Sequence, residues 1–255
     1  TGSRVRHLDF PGNDLSSIRY LRGLDDAESI KNDLKISQNL VVIGAGYIGL
    51  EVAAIAAKNN ISVSVIEMAD RVMNRTVDPQ ISQYYLELHQ KNGVTFKFNT
   101  SLEEIKGDKS VQSVICSDGT EIKADTVIIG AGIIPNFELA EDAGIDCTNG
   151  IEVDEYGRTN LKNIYACGDC TNHPNKLLNK NLRLESVHNA MEQAKTVASS
   201  IMSNPSEYSQ IPWFWSDQYD HKLQIVGLSG DHDTVTMRGD TSDSKFMLFY
   251  TREDE

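Results

Sequence analysis

The sequence predicts an α/β protein whose central sheet is parallel, with helices packed on its faces. Two observations carry this. Strand-length apolar runs at 40–43 and 63–66 flank a helical stretch that ends near Lys58. Between the first strand and that helix lies a glycine turn, with Gly44, Gly46 and Gly49 at the G-x-G-x-x-G spacing. The turn sits where a βαβ dinucleotide-binding unit requires it, after a buried strand and at the opening of a helix.

The remaining elements follow from periodicity and turn chemistry. Residues 3–24 are loop-rich, with Pro11, Gly12, Asn13 and Asp14 as turn formers. Residues 25–34 read as a helix capped by Asp25, with Ala27, Ile30 and Leu34 on one face. A third helix spans 79–92, where Pro79 suits the first helical position. The period then becomes strand-like at 94–98, 111–116 and 121–129, and Asp118-Gly119 marks a hairpin between the last two. A small antiparallel meander is therefore expected to interrupt the parallel sheet. Further on, 163–167 reads as a strand and 187–202 as a helix ended by Pro205, with Ala190, Ala194, Val197, Ala198 and Ile201 turned inward. From Ile211 the chain is strand-rich, at 213–215, 222–226, 234–237 and 246–250.

Composition narrows the functional classes. A formal net charge of −13 over 255 residues disfavours general nucleic-acid affinity. No apolar run approaches the roughly 18 residues of a membrane span. Four cysteines do not make a secreted disulfide framework, and a reducing cytoplasm is the expected location. The chain starts at Thr1-Gly2 without Met and stops just after a strand, so it reads as an internal segment of a longer protein.

Each glycine of the turn has its own physical task. Gly44 permits the tight turn, Gly46 lets the backbone approach a pyrophosphate, and Gly49 allows close helix–strand packing. The phosphates would sit at the helix N-terminus, where free N–H groups and the helix dipole favour an anion. Glu67 ends the second strand, where a carboxylate accepts from ribose hydroxyls and repels a 2′-phosphate, which favours NAD over NADP. Arg71 and Arg75 lie just beyond and complicate the choice; Arg71 reads as helix-flanking charge.

A longer pattern runs from Thr159 through Asn163, Ile164 and Tyr165 to Gly168-Asp169. Gly168 lets the backbone come close to a ligand, and Asp169 can accept from a sugar hydroxyl. This pattern resembles the second FAD-binding motif of the two-dinucleotide flavoprotein reductases. Arg19-Tyr-Leu-Arg22, the run around Gly44, the run from Gly130 to Asn136, and the stretch from Glu185 to Ala194 all fit that family. The stretch Pro212-Trp-Phe-Trp-Ser-Asp-Gln-Tyr219 resembles the putidaredoxin, rubredoxin and ferredoxin reductase branch in particular.

The resemblance implies two Rossmann-like domains, with an NAD domain (8–132) inserted in an FAD domain (1–7 and 133–205). A truncated α+β C-terminal domain (206–255) would follow. It implies FAD and NAD as cofactors, with Thr1, Gly2, Arg22, Gly168, Asp169 and Val187 on the FAD side. Gly44, Gly46, Tyr47, Ile48, Gly49, Glu67 and Gly132 fall on the NAD side. Glu51 and Trp215 are the candidate catalytic residues. Glu51 resembles the family glutamate that pairs with a lysine beside the flavin, and its alternative is a helix-stabilising carboxylate. Trp215 would stand near the flavin edge facing the electron acceptor, and its alternative, shared with Trp213, is a core aromatic. Tyr47 either lines the nicotinamide pocket or packs the helix.

The helix starting near His188 would aim its N-terminus at the flavin. Cys167 and Cys170 have the spacing of a redox disulfide, but they bracket Asp169, and a structural role is expected. The activity implied is electron transfer from NADH through FAD to a ferredoxin- or rubredoxin-type iron–sulfur protein. An NADH oxidase, the reductase part of a nitrite reductase, or a redox-signalling protein like the apoptosis-inducing factor stay open beside it, as does the oligomeric state.

Overall fold

A computed structural model describes residues 2–230 and 232–253. The chain divides into two compact units, one of 1–4, 133–215 and 224–228, the other of 5–132, 216–223 and 229–255.

The larger unit holds the parallel sheet. After β1 (Ser3–Val5) come β2 (Ile18–Arg19), α1 (Leu24–Leu34), β3 (Asn39–Ile43), α2 (Tyr47–Lys58), β4 (Ser62–Ile66), α3 (Pro79–Lys91) and β5 (Thr95–Lys97). A meander of β6 (Leu102–Gly107), β7 (Val111–Cys116) and β8 (Glu121–Lys123) leads to β9 (Thr126–Ile129). The five-stranded sheet runs β2-β9-β3-β4-β5, and every pairing in it is parallel. The expected α/β class is the one observed.

Strand β3 explains why this sheet is stable. Leu40, Val41, Val42 and Ile43 are all buried, so both faces of the strand are covered. Val41 and Ile43 join Phe10, Ile66, Val127 and Ile129 of the sheet side with Ile105, Val111 and Val114 of the meander in one core. Each such side chain contributes about 1.5–3 kcal/mol on burial.

Three expectations for this unit are corrected. Residues 121–129 form two strands, because the Asp125 carboxylate accepts from the backbone N–H groups of Gln38 and Asn39, at 2.8 Å each, and turns the chain between sheets. Helix α1 is capped at Gly23 rather than Asp25, and Asp26 accepts from the N–H groups of Gly23 (2.8 Å) and Arg22 (2.9 Å). Strand β6 was not expected. A register shift between Leu102 and Glu104 breaks its alternation, and only Ile105 is buried.

The smaller unit contains β10 (Ile133–Pro135), α4 (Glu138–Asp142), β11 (Ile151–Glu152), β12 (Thr171–Asn175), β13 (Lys180–Leu182) and α5 (Val187–Ile201). Strand β10 pairs with β1, and β12 lies between β11 and β13. The strand expected at 163–167 does not form; Tyr165 makes a single bridge to Arg158, too little for a ladder. Ser186 caps α5 by accepting from the Asn189 N–H at 3.1 Å. The inward face of α5 is also corrected. Asn189, Gln193, Thr196 and Ser200 are buried, while Ala194, Ala198 and Ile201 are exposed. Polar partners decide the orientation: Tyr208 donates to the Asn189 side-chain oxygen at 2.8 Å, and Ser200 donates to the Tyr156 carbonyl at 2.9 Å.

The C-terminal strands are longer than expected but fall at the expected places. Strands β14 (Trp213–Gln218) and β15 (His221–Val226) pair with each other, as do β16 (Thr234–Asp240) and β17 (Lys245–Thr251). Within the larger unit, Phe246 of β17 meets Tyr84 of α3 edge-on at 4.9 Å.

His173 on β12 is 1% exposed, and neither ring nitrogen has a hydrogen-bond partner. Burial pulls its pKa down to about 4. The unfolded chain then binds the proton more tightly than the folded one, so stability falls as pH drops below about 6.5 and levels off only near 4. His173→Leu is expected to remove about 1–2 kcal/mol of the loss between pH 7 and pH 5, read by denaturant unfolding of both proteins.

Candidate functional site

The glycine turn of the larger unit is crowded on one side and open on the other. Gly44 has φ +100°, and a Cβ there would stand 2.6 Å from the Gly130 carbonyl oxygen. A Cβ on Gly49 would stand 2.1 Å from the Gly44 carbonyl oxygen and 3.2 Å from Val42. Helix and strand therefore meet at a distance that only glycine allows. Gly46 is different, because a Cβ there would meet nothing within 4 Å. It caps α2, whose first helical bond runs from the Leu50 N–H to the Gly46 carbonyl at 3.0 Å. The result is open space in front of the N-terminus of a 12-residue helix. Ile48 is exposed there and Tyr47 is half-buried; burial raises the Tyr47 phenol, against a hydrogen bond with Thr76.

Glu67 is tied to this turn. Its two carboxylate oxygens accept from the N–H groups of Ala45 (2.7 Å) and Ala69 (2.8 Å). A carboxylate has about four acceptor positions, so each oxygen keeps room for another donor. Arg71 is committed elsewhere, donating to the Val77 carbonyl (2.8 Å), the Ser82 hydroxyl (2.7 Å) and the Asn74 carbonyl (2.7 Å). Its guanidinium is thus a loop brace. Arg75 is exposed, and a Cβ on Gly132 would lie 3.8 Å from its terminal nitrogen.

Glu51 lies one turn into α2 and is half-buried. Burial raises its carboxyl, opposed by a 2.6 Å hydrogen bond from the Ser216 hydroxyl and one from the Asp217 backbone, while the Asp217 charge pushes the same way as burial. Sequence reasoning did not find Ser216. A serine between a tryptophan and an aspartate gives no sign that it is buried, and its strand alternation is the only hint. Arg22 is exposed in the loop before α1.

In the smaller unit the Gly168–Asp169 turn is held from α5. The Gln193 side-chain oxygen accepts from the Gly168 N–H (2.7 Å) and the Thr171 hydroxyl (2.8 Å). Gly168 has φ +85° and lies against Ala190. The Asp169 carboxylate accepts from the Ser3 hydroxyl at 3.2 Å, and the neighbouring Gly2 carbonyl accepts from the Asn136 N–H at 2.9 Å. Thr1 lies outside the described residues. Val187, at the start of α5, is exposed.

Trp213 and Trp215 are 37% and 42% exposed, with ring centroids 5.2 Å apart, so neither is a core aromatic. His188 packs edge-on against Trp213. Cys167 and Cys170 are free thiols, and burial raises the Cys167 thiol. Among the described residues no group of His, Cys, Asp or Glu could hold a metal ion, and no helix is long and apolar enough to cross a membrane.

The chain belongs to the pyridine nucleotide-disulphide oxidoreductase family, whose model matches residues 1–194, and a reductase C-terminal model matches 213–255. It is 42% identical to rhodocoxin reductase of Rhodococcus erythropolis over 250 residues, which cover 98% of this chain and 58% of that protein. Its fold matches the ferredoxin reductase for the CYP199A2 system from Rhodopseudomonas palustris with a TM-score of 0.97 at 40% identity, over 99% of this chain and 63% of that one. It also matches the reductase in a covalent putidaredoxin reductase–putidaredoxin complex with a TM-score of 0.95 at 41% identity, over 100% of this chain and 62% of that one. The chain therefore spans about three-fifths of the length of these relatives.

The crowding at Gly49 gives a direct test. Gly49→Ala is expected to cost about 1–3 kcal/mol by denaturant unfolding, because backbone must move to admit the methyl group.

Proposed function

We propose that this chain is the nucleotide-binding body of an NADH-dependent flavoprotein reductase that passes electrons through FAD to a ferredoxin- or rubredoxin-type iron–sulfur protein. The observation that carries the reading is the open cradle at Gly46, in front of α2 and beside a Glu67 carboxylate with acceptor capacity to spare. In this reading residues 8–132 are the NAD domain, 1–7 and 133–205 belong to the FAD domain, and 206–255 begin the C-terminal domain. The relatives named above, two of which carry ferredoxin or putidaredoxin in their descriptions, support the choice of acceptor. The free cysteines support a cytoplasmic setting.

The chain's own residues divide the work. Gly44, Gly46 and Gly49, with Tyr47 and Ile48, set the backbone N–H groups of α2 toward the pyrophosphate. Glu67 takes the adenosine ribose hydroxyls and repels a 2′-phosphate, while Arg71, already braced, offers such a phosphate nothing. Gly132 leaves the nicotinamide side free of a side chain. Gly2, Arg22, Gly168, Asp169 and Val187 would hold the FAD, with Asp169 placed to accept from a sugar hydroxyl. When bound, FAD would supply the redox chemistry that takes a hydride from NADH and delivers single electrons to the acceptor. Glu51 orients a cationic partner beside the flavin, and Trp215 marks the exit.

The test is stopped-flow reduction of the FAD-loaded protein by NADH and by NADPH, followed by a panel of ferredoxins and a rubredoxin. NADH is expected to bleach the flavin at least about tenfold faster than NADPH, the worth of one good hydrogen-bonded discrimination. Failure of both nucleotides to bleach it overturns the reading. Glu67→Ala should erode that preference; an unchanged NADH:NADPH ratio would remove Glu67 from the ribose site.

A further inference from the structure

We propose that Ser216, Gln218 and His89 are positioning residues that form a buried, one-directional hydrogen-bond chain holding the Glu51 carboxylate. All four residues lie in the larger unit. The Ser216 hydroxyl is 2.6 Å from Glu51 Oε1, Gln218 Nε2 is 3.0 Å from Ser216 Oγ, and His89 Nε2 is 2.8 Å from Gln218 Oε1. The Tyr219 hydroxyl ends the chain, 3.2 Å from His89 Nδ1. Ser216 and Gln218 are 0% exposed, and so is His89, so water cannot replace any link among them.

The direction follows from the first link. An ionised carboxylate only accepts, so Ser216 donates to Glu51. Ser216 Oγ must then accept from Gln218, which fixes the amide with its NH₂ toward the serine. The second amide hydrogen points to Met73 Sδ at 3.9 Å, a contact that suits NH₂ better than oxygen. Gln218 Oε1 is left to accept, so His89 carries its proton on Nε2 and accepts from Tyr219 at Nδ1. One charge thereby sets the orientation of an amide and the tautomer of a histidine three links away.

The far end lies in the two-residue turn between β14 and β15. Tyr219 has φ +58°, a left-handed conformation that costs a non-glycine residue energy. Its ring packs edge-on against His89, and Lys58 stands 5.8 Å over it. The groups facing His89 are Gln218, Tyr219 and the Phe96 ring; those facing Glu51 are Ser216 and Asp217. Among the described residues the Ser216 hydroxyl is the main donor to that carboxylate. Burial keeps His89 below its ordinary pKa, in agreement with a neutral ring.

The importance of Glu51 to electron transfer rests on the reductase reading, but the chain itself does not, and the experiment separates them. Long-range proton–nitrogen NMR of the ¹⁵N-histidine-labelled protein at pH 8 should show His89, one of the six histidines and assigned by loss of its signals in His89→Gln, as the Nε2–H tautomer. Tyr219→Phe, which keeps the ring, should shift the Nδ1 signal of that histidine alone. Carboxyl ¹³C titration should place the Glu51 midpoint about one pH unit higher in Ser216→Ala, and Ser216→Thr should restore it. A proton on His89 Nδ1, or an unmoved Glu51 midpoint in Ser216→Ala, overturns the proposal. If these signatures hold while NADH fails to reduce the flavin, the chain stands and the reductase reading falls.

Discussion

A carbonyl oxygen of Gly44 occupies the space where any other residue at position 49 would place its Cβ, and much of the larger unit depends on that near-contact. It brings α2 close to β3, and Leu50, Ala53 and Ala54 of the helix are buried, as are the four apolar residues of the strand. It aims the helix N-terminus outward at Gly46. It also sets Glu51 one turn along, and Glu67 at the end of β4 reaches back to the same turn through Ala45. Gly130, just after β9, closes the arrangement: its carbonyl oxygen would stand 2.6 Å from a Cβ on Gly44, against 2.1 Å between the Gly44 carbonyl and a Cβ on Gly49. Four glycines and two carboxylates thus share one geometric constraint.

The legible parts of the sequence were those where local pattern and tertiary demand agree. Strands β3 and β4 are continuous apolar runs because both faces of a parallel sheet are covered, and the glycine turn names its own context. The misses have the opposite character. Strand β6 carries Glu103, Glu104 and Lys106 and a register shift, so its periodicity is broken even though its ladder with β7 is formed. Helix α5 buries Asn189, Gln193, Thr196 and Ser200, because hydrogen-bond partners rather than apolar area decide its inner face. Hydrophobic periodicity carries no information about partners supplied from distant segments.

The same reasoning explains what was found and missed at the site. Gly44, Gly46, Gly49 and Glu67 were legible because their tasks belong to the backbone and to one strand end. Arg71 was read as plain flanking charge, and the structure gives that charge a definite occupation: two carbonyls of the loop that follows Glu67 and the Ser82 hydroxyl of α3. Ser216, Gln218 and His89 were invisible in the sequence. They are common polar residues whose significance lies in being fully enclosed, a property fixed by segments more than a hundred positions apart.

Strand β14 carries Trp213 and Trp215 on one face and Ser216 and Gln218 on the other, following the two-residue period of an extended chain. That period constrains how the segment can change length. Gain or loss of a single residue within Trp213–Gln218 would exchange the two faces, presenting the buried amide to solvent and driving an indole toward Glu51. Changes by two would preserve the faces and move only the spacing. Descendants of this sequence should therefore tolerate substitutions in the strand far more readily than a one-codon insertion or deletion.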